Sequence, residues 1–420
     1  MAIVQITTND PNFGFIIHKN PASGMQLRGI RQGTAFGWYS KENTAYNILF
    51  KDADNAVSFG DQEFEYLNTS RYNSSVVVLN MISEYFSSTV KTQSDLDVDG
   101  IEKTFTINMI DIKMKSQLIH FEKYFPDFTL ESENYVARST KLKITTTKSF
   151  HQLFNYVNLL MLFITLTSDE FVLLDESSIE KYLGSIEKLD APFFIRYLFS
   201  RNMLKSKKQF EKYKSRLENI SAHREVSMSF GDTATQRRNA IQQMLTFDKP
   251  IIDIGCGEGS YAIPFSAKLG EKNYYAIDVV EELTEKVMKR ANHKNITNIK
   301  TFDHVDKFIS AYDGSVSDII LTEVVEHMPY EESVALVKNV VENIKFDKFV
   351  ITVPNKEFNQ FYLIGADEFR HNDHDWEPTY AEFTSFIDET FGDKFKKQFV
   401  SIGDTIDGIS TSIGCIISTN

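Results

Sequence analysis

Between residues 249 and 353, short apolar runs alternate with segments of helical periodicity. The apolar runs are KPIIDIG, NYYAID, NIKTF, SDIILT and DKFVITV. Strands that alternate with helices form βαβ units, which place parallel strands in one sheet that helices cover on both faces. Two further apolar runs, FKKQFVSIG and STSIGCIIS, follow without a helix between them and predict an antiparallel hairpin. We therefore predict a doubly wound, mostly parallel α/β domain over residues 226–420.

The N-terminal half of the chain has a different pattern. Strand-like runs at 57–68 and 103–114 precede a long stretch of helical periodicity. A small, polar segment at 227–235 is typical of a domain boundary. We expect an N-terminal α+β region at 1–225, with a candidate internal break near residue 140, joined to the α/β domain.

Composition places the chain among globular intracellular proteins. Of its 420 residues, 42% are hydrophobic and 25% are charged, which excludes wholesale disorder. Two cysteines, Cys256 and Cys415, cannot build a disulfide framework. The first residues lack the basic start and the apolar core of a signal peptide. These features predict a cytoplasmic protein in a reducing compartment.

One uncharged stretch, residues 149–168, is long enough to cross a bilayer. Its apolar residues recur at helical spacing, however, and His151, Gln152, Asn155 and Asn158 fall between them. We interpret this stretch as a buried amphipathic helix, and we expect no membrane association.

The formal net charge of −13 lies almost entirely in the part of the chain after residue 230. A nonspecific polyanion-binding surface would be basic, so any contact with nucleic acid in this half must be local or assisted by a cation. The lysine-rich segment LKSKKQFEKYKSRLEN is open to two interpretations. It is either a nucleic-acid backbone contact or a solvated helix face ahead of the domain boundary.

A glycine-rich loop, Asp253 to Gly259, follows the first strand of the α/β domain. Glycines let the backbone turn tightly and approach a ligand at the carboxyl end of a strand. The G-x-G-x-G spacing differs from the dinucleotide fingerprint and lacks a P-loop lysine. Asp278, at the end of the next strand, can bind ribose hydroxyls. A glycine loop and a ribose carboxylate without a phosphate grip predict a nucleoside with an uncharged or cationic tail, such as S-adenosylmethionine.

The fourth strand of this domain runs into the sequence Thr-Glu-Val-Val-Glu-His. In a helical turn Glu323, Glu326 and His327 would share one face. Two carboxylates and an imidazole provide most of a metal site, although this pattern alone is more often a solvated helix face. Its place beside the cofactor crevice favours the metal site.

The polar cluster from Arg370 to Glu377 offers a histidine as the fourth ligand. Loops at strand ends commonly carry catalytic groups. The same cluster also leads into a helix, for which Thr379 and Glu382 have the spacing of a capping box. The two interpretations are compatible.

The motif DIGCGEG followed by AID resembles motifs one and two of the class I methyltransferases. Cys256, between the glycines, is then simply a small buried residue. The resemblance implies that Asp253, Gly255 and Gly257 surround the methionine part of the cofactor. It also implies that Asp278 binds the ribose and that the adenine contact comes from Asp303 and His304.

Three further motifs resemble the small-RNA 3′-terminal ribose 2′-O-methyltransferases: E-x-x-E-H, PN-x-EFN and R-x-x-DH-x-W-E. The resemblance implies a divalent cation held by Glu323, Glu326, His327 and His374, with His371 as the competing fourth ligand. Mixed nitrogen and oxygen ligands favour Mn²⁺, with Mg²⁺ or Co²⁺ as weaker candidates. Where the family usually continues E-W-T-R, this chain has E-P-T-Y, a change that affects the expected substrate contacts and not the metal.

Segments 15–21 and 66–86 resemble the bacterial branch of this family, whose N-terminal region activates a kinase–phosphatase–ligase partner in RNA repair. The resemblance implies Mn²⁺-dependent methyl transfer from S-adenosylmethionine to the 2′-hydroxyl of the 3′-terminal nucleotide of RNA. Arg237 and Arg370 are candidate contacts to the terminal phosphate, or else ordinary surface arginines. One alternative function is a metal-independent methyltransferase of small molecules or proteins. Another is an interaction protein whose main role is to regulate a ligase.

Overall fold

The computed structural model describes residues 3–31, 33–40, 42–52, 73–113, 115–136, 139–168, 170, 175–220, 224–362 and 368–419. The strand expected at 57–68 lies outside these residues.

The chain divides into two compact units, Met1–Met203 and Leu204–Asn420. The boundary that we predict between residues 225 and 226 therefore falls inside the second unit. The reason is local packing, because the ring of Phe210 lies 6.0 Å from that of Phe230, and Glu218 accepts a hydrogen bond from the backbone N–H of Met228 at 2.7 Å. An N-terminal domain that ends at residue 225 stays a prediction.

The first unit contains a seven-stranded sheet whose neighbouring strands are all antiparallel. The order of its strands is β2-β3-β4-β1-β5-β7-β6. The strand predicted within 103–114 is present as β5. The strands are β1 (Val4–Thr8), β2 (Gln26–Ile30), β3 (Gly33–Tyr39), β4 (Ala45–Asp52), β5 (Lys103–Ile110), β6 (Phe128–Val136) and β7 (Ser139–Thr146).

The three longest helices of the first unit, α5 to α7, follow the sheet in the chain, as the helical periodicity predicts, and four shorter helices lie between its strands. A π-helical segment, Met81–Tyr85, separates α2 from α3, and a 3₁₀ turn covers Pro21–Ser23. The helices are α1 (Phe13–Ile16), α2 (Ser75–Asn80), α3 (Ser87–Lys91), α4 (Ser116–Tyr124), α5 (Phe150–Leu166), α6 (Glu176–Lys188) and α7 (Phe193–Met203).

Helix α5 is the uncharged stretch, and it is buried on nearly all sides rather than on one amphipathic face. Several of its polar side chains form hydrogen bonds inside the unit, although Gln152 Oε1, the Tyr156 hydroxyl and Asn158 Oδ1 have no partner among the described residues. His151 Nδ1 lies 2.7 Å from the carbonyl oxygen of Thr89, and Asn155 Nδ2 donates to the carbonyl of Val90 at 3.1 Å. Within the described part of the chain, every helix is too short or too polar to span a membrane.

The second unit contains an eight-stranded sheet in the order β11-β10-β9-β12-β13-β15-β14-β8. Strands β9 to β13 pair in parallel, whereas β15 is antiparallel to both β13 and β14, which confirms the predicted hairpin. The strands are β8 (Val226–Ser227), β9 (Ile251–Ile254), β10 (Tyr274–Ile277), β11 (Ile299–Phe302), β12 (Ser317–Thr322), β13 (Phe346–Pro354), β14 (Phe395–Ile406) and β15 (Ile409–Thr419).

Helices connect the parallel strands of this unit, and three short 3₁₀ segments, Val325–His327, Lys356–Phe361 and Gly392–Lys394, follow strands or helices. The capping box predicted at Thr379 and Glu382 begins the last helix. The helices are α8 (Lys207–Glu218), α9 (Thr233–Met244), α10 (Ala262–Ser266), α11 (Glu281–His293), α12 (Val305–Ala311), α13 (Tyr330–Asn343) and α14 (Tyr380–Phe391).

Adjacent residues of the central strands enter apolar clusters on opposite faces of the sheet. Ile251 and Ile320 belong to one cluster, and Ile252 and Ile319 belong to the other. Burial on both faces explains why these strands read as continuous apolar runs. The strand order reverses at β9, between β10 and β12, and such a reversal opens a crevice at the carboxyl ends of the strands. The glycine-rich loop and the E-x-x-E-H segment both leave the sheet at that edge.

Candidate functional site

The loop after β9 requires glycine at Gly255. This residue has a φ of 74°, and a Cβ atom built on it would lie 2.3 Å from Cγ2 of Val324. The backbone N–H groups of Gly255 and Cys256 both donate to the carbonyl of Ile277, at 2.8 and 3.0 Å. Gly257 also has a positive φ, of 51°. The loop is thus fixed against β10 by its own backbone, and it leaves space on the crevice side because it carries no side chain at its glycines.

Asp278 holds this loop from the end of β10. Its Oδ2 accepts the N–H of Gly257 at 2.8 Å, and its Oδ1 accepts the N–H of Val280 at 3.0 Å. A carboxylate has about four lone-pair sites, so two remain for ligand hydroxyls. Val279 and Val280 follow directly and are 76% and 48% exposed. These two residues were not among the predicted site residues. The signal that could have identified them is an apolar dipeptide directly after a carboxylate at the end of a strand.

Asp253 lies beneath the loop and is fully buried. Its Oδ2 accepts a hydrogen bond from the hydroxyl of Tyr274 at 2.7 Å, while Oδ1 has no partner among the described residues. Burial raises the pKa of Asp253 to about 7, and the nearby Asp278 charge adds to the increase. One carboxylate oxygen thus stays without a partner directly below the cofactor loop.

Asp303 and His304 occupy the predicted position at the end of β11, but both side chains are exposed and locally engaged. Asp303 pairs with Lys307, and His304 Nδ1 accepts the N–H of Asp306 at 3.3 Å, which caps α12. Their role as adenine contacts stays a prediction, which these local contacts do not favour.

The E-x-x-E-H segment does not form the regular helical turn that we predict. Glu323 has a φ of 52°, in the left-handed region, and its N–H still pairs with the carbonyl of Thr352 in the sheet. A 3₁₀ segment then covers Val325–His327. The physical reason is that the last sheet hydrogen bond of β12 holds Glu323, so the chain must reverse there before it can coil. Left-handed non-glycine residues are strained and concentrate at functional sites.

Three of the predicted metal ligands come together despite this difference. The ligand atoms of Glu326, His327 and His374 all lie within 4.8 Å of one another, in a search of the described residues. The rings of His327 and His374 are 4.6 Å apart. His371 is exposed, with its ring 5.1 Å from that of His374, and it is not a member of this cluster. The structure therefore brings His374, and not His371, to the other two ligands.

Glu326 is the chemically demanding member of the cluster. Its side chain is completely buried, and neither carboxylate oxygen has a hydrogen-bond partner within the described chain. Burial raises the pKa of Glu326 well above its usual range, and the Glu323 carboxylate raises it further. An uncompensated buried carboxylate is costly. Because two imidazoles face it, the residues present fit a divalent cation of mixed N/O preference.

Glu323 stands apart from this cluster and is held by an arginine. Arg237 Nη1 lies 2.9 Å from Glu323 Oε2, and Arg237 Nε donates to the hydroxyl of Tyr261 at 3.0 Å. The hydroxyl of Thr352 donates to Glu323 Oε1 at 3.1 Å. Arg237 is therefore largely buried and ion-paired. Its contact with a terminal phosphate stays a prediction, which this ion pair does not favour.

Arg370 is likewise engaged within the chain. Its guanidinium donates to Asn359 Oδ1 at 2.6 Å, to the carbonyl of Thr411 at 2.7 Å and to the carbonyl of Asn355 at 2.6 Å. These bonds fasten the segment that carries His374 to the ends of β13 and β15. Contact of Arg370 with a terminal phosphate stays a prediction, which this geometry does not favour.

Comparisons with known proteins match the two halves of the chain separately, and the first match extends beyond Met203 into the second compact unit. The model of the Hen1 N-terminal domain family matches residues 3–222, and a methyltransferase-domain model matches residues 251–347. A structure of the Pnkp1/Rnl/Hen1 RNA repair complex contains a chain with a TM-score of 0.81 and 23% identity, over 99% of both chains. At that identity the likeness concerns the fold alone.

Two relatives match about a third of the chain each. The small RNA 2′-O-methyltransferase of Caenorhabditis elegans is 24% identical over 152 residues, which are 32% of this chain and 34% of that protein. A ribosomal protein L11 methyltransferase of Thermoanaerobacter pseudethanolicus is 29% identical over 126 residues, 29% of this chain and 41% of that protein. The chain thus spans about a third and two-fifths of the lengths of these relatives.

Proposed function

Because this chain belongs to the Hen1 family, we propose that it transfers a methyl group from S-adenosylmethionine to the 2′-hydroxyl of the 3′-terminal nucleotide of RNA. The observation that carries the proposal is the position of Glu326. A buried carboxylate without partners faces two imidazoles at the same sheet edge as the glycine-rich loop. A metal-independent methyltransferase has no need of that costly arrangement.

The loop after β9 supports the cofactor part of the proposal. Asp278 presents its remaining acceptor sites to the ribose hydroxyls. The exposed Val279 and Val280 offer an apolar surface to the adenine ring. The backbone at Gly255 and Gly257 lies beside the methionine part, with the free oxygen of Asp253 beneath it.

Glu323, Glu326, His327 and His374 would hold the ion, and the two imidazoles make Mn²⁺ a better fit than Mg²⁺. A bound divalent cation supplies Lewis acidity toward a hydroxyl and orients it. The chain's own residues set the geometry, since Trp376 Nε1 donates to the carbonyl of Val325 at 2.8 Å and thereby fixes the 3₁₀ segment.

The Arg237–Glu323 ion pair holds Glu323, the predicted ligand that is not a member of the cluster. Glu323 can join the other three ligands only if it gives up at least part of this pair. Arg237 would then keep its contact with Tyr261 and remain near the site as a cation.

A kinase–phosphatase–ligase partner and a role in RNA repair belong to the same proposal. The match of residues 3–222 to the Hen1 N-terminal domain supports it, as does the fold shared with a chain of the Pnkp1/Rnl/Hen1 complex. A cytoplasmic location is consistent with two buried free thiols, Cys256 and Cys415.

The decisive experiment is transfer of a labelled methyl group to a short RNA that ends in an intact cis-diol, compared with the same RNA after periodate oxidation. We expect transfer to the intact end alone, loss of transfer in EDTA and recovery with Mn²⁺. Equal labelling of both RNAs would exclude the 3′-terminal ribose as the acceptor. Transfer that resists EDTA and labels a ribosomal protein instead would favour the protein methyltransferase suggested by the second relative.

A further inference from the structure

Behind His374 lies a second carboxylate, Glu377, whose side chain is fully buried. Its Oε1 is 2.6 Å from His374 Nδ1 and accepts the backbone N–H of Arg370 at 2.5 Å. Its Oε2 accepts a hydrogen bond from Asn359 Nδ2 at 2.6 Å. Three polar groups from different points of the chain therefore converge on this carboxylate.

The direction of each hydrogen bond in this group is fixed. The Arg370 guanidinium donates through Nε to Asn359 Oδ1, so the amide of Asn359 must turn its NH₂ group toward Glu377. The backbone N–H of Arg370 is also a donor. Glu377 receives donors on both oxygens, so a group with two acceptor oxygens fits the position, whereas an amide would place its own NH₂ against one of these donors.

The same logic fixes the imidazole of His374. A carboxylate oxygen at 2.6 Å from Nδ1 needs a proton between them, so Nδ1 carries the hydrogen and Nε2 keeps its lone pair. The lone pair is what a metal ligand requires. A carboxylate that accepts from the far nitrogen of a ligating histidine both orients the ring and increases its basicity.

The anchor of this arrangement is the sheet itself. Arg370 Nη2 and Nη1 donate to the carbonyls of Asn355 and Thr411, at the end of β13 and within β15. The chain of contacts from the sheet to the histidine therefore runs through Arg370, Asn359 and Glu377, and each link is a hydrogen bond of 2.7 Å or less.

We infer that Glu377 is the positioning residue that sets the tautomer and orientation of His374, with Asn359 and Arg370 fixing Glu377 in turn. The inference rests on the proposed function for its metal but not for its geometry. Glu377 itself touches neither substrate nor cofactor in this proposal, and it acts through His374.

The test compares Glu377→Gln with Glu382→Gln in the full chain. Glu382 lies in the neighbouring capping box, where glutamine serves as well as glutamate, so the same substitution there is the matched control. Binding of Mn²⁺ is followed by loss of the electron paramagnetic resonance signal of the free ion. We expect affinity to fall about 10- to 100-fold in Glu377→Gln and to be unchanged in Glu382→Gln. Affinity of Glu377→Gln equal to that of the unsubstituted protein would overturn the inference.

A second measurement does not depend on whether a variant at position 377 folds. In EDTA-treated, unsubstituted protein, nitrogen-15 shifts of the histidine rings report the tautomer, and His374→Gln identifies the resonance of His374. A proton on Nδ1 supports the inference, and a proton on Nε2 overturns it. The proposed function fails separately, if the unsubstituted protein binds Mn²⁺ and does not methylate RNA.

Discussion

The glycine-rich loop and the cluster of Glu326, His327 and His374 lie at the same edge of the sheet, yet they differ in how their polar groups are satisfied. In the loop, both oxygens of Asp278 already accept backbone N–H groups. In the cluster, both oxygens of Glu326 lack partners within the described chain. The loop is therefore pre-organised by its own hydrogen bonds, whereas the cluster gains most from a ligand of opposite charge.

Replacement of Glu326 should have the largest effect on methyl transfer, and it should affect the cluster and leave the glycine-rich loop unchanged. For Glu326→Gln we expect methyl transfer to fall about 1000-fold or more, because several kcal/mol of Lewis-acid stabilisation would be lost. Binding of S-adenosylmethionine, measured by calorimetry, should stay within about twofold of the unsubstituted protein.

The same variant should be more stable than the original protein in EDTA, because it removes a buried carboxyl group that must take up a proton or carry an unpaired charge when the chain folds. Thermal unfolding of both proteins in EDTA measures this difference in stability. Addition of Mn²⁺ at about 100 times its dissociation constant should stabilise the original protein by about 2.7 kcal/mol and the variant hardly at all. A variant that is destabilised in EDTA and still stabilised by Mn²⁺ would remove the contrast between the two regions.

Replacement of Asp278 should act on the opposite region. In Asp278→Ala the ribose would lose its charged acceptor, at roughly 1.5–3 kcal/mol for each hydrogen bond. We expect weaker binding of S-adenosylmethionine and unchanged binding of Mn²⁺. Asp278→Asn is the matched variant, since it keeps the shape and lacks the charge. Unchanged cofactor affinity in both variants would contradict the assigned role.

Gly255→Ala should disturb both regions together, because its new methyl group would meet Val324, which precedes the metal ligands Glu326 and His327. The left-handed φ adds about 1–2 kcal/mol of strain. We expect both cofactor and Mn²⁺ to bind more weakly. The double variant with Val324→Ala should recover Mn²⁺ binding more than cofactor binding. Gly257→Ala, which has a positive φ but open space around it, is the control.

The smallest expected effect is on the pH dependence of stability, through Asp253, which has only one of its two carboxylate oxygens hydrogen-bonded within the described chain. Because the folded state raises the pKa of Asp253 to about 7, it binds the proton more tightly than the unfolded chain does. Stability therefore declines as the pH rises from about 4 toward 7, and the loss persists above pH 7. Asp253→Asn should remove this decline and be the more stable of the two proteins at pH 8, in urea unfolding without ligand. If the unfolding free energies of the variant and the original protein change with pH in the same way, this account is contradicted.

The sequence predicted well those features that depend on local pattern. The five parallel strands follow from apolar runs, because residues such as Ile251 and Ile252 are buried on opposite faces. The capping box of Thr379 and Glu382 depends only on four consecutive positions, and it is present.

Features that depend on tertiary approach could not be predicted. The left-handed turn at Glu323 is imposed by its bond to Thr352 on the neighbouring strand. Arg237 meets Glu323 from a helix 86 positions away in the chain, counted from 237 to 323, so no local spacing signals their ion pair. For the same reason the sequence grouped Asn359, Arg370 and Glu377 as motif residues without indicating that they form one hydrogen-bonded chain.

The segment that carries His374 has almost no regular secondary structure, yet its main chain is tied down at successive positions. The amides of Asp375 and Trp376 both point at the carbonyl of Glu326, at 2.8 and 3.4 Å, and the amide of Thr379 donates to the Glu382 carboxylate at 2.8 Å. Amide protons held in this way exchange with solvent slowly, and a backbone held in this way resists proteases. Irregular as it is, this segment should keep its deuterium-exchange protection about as long as the strands it joins.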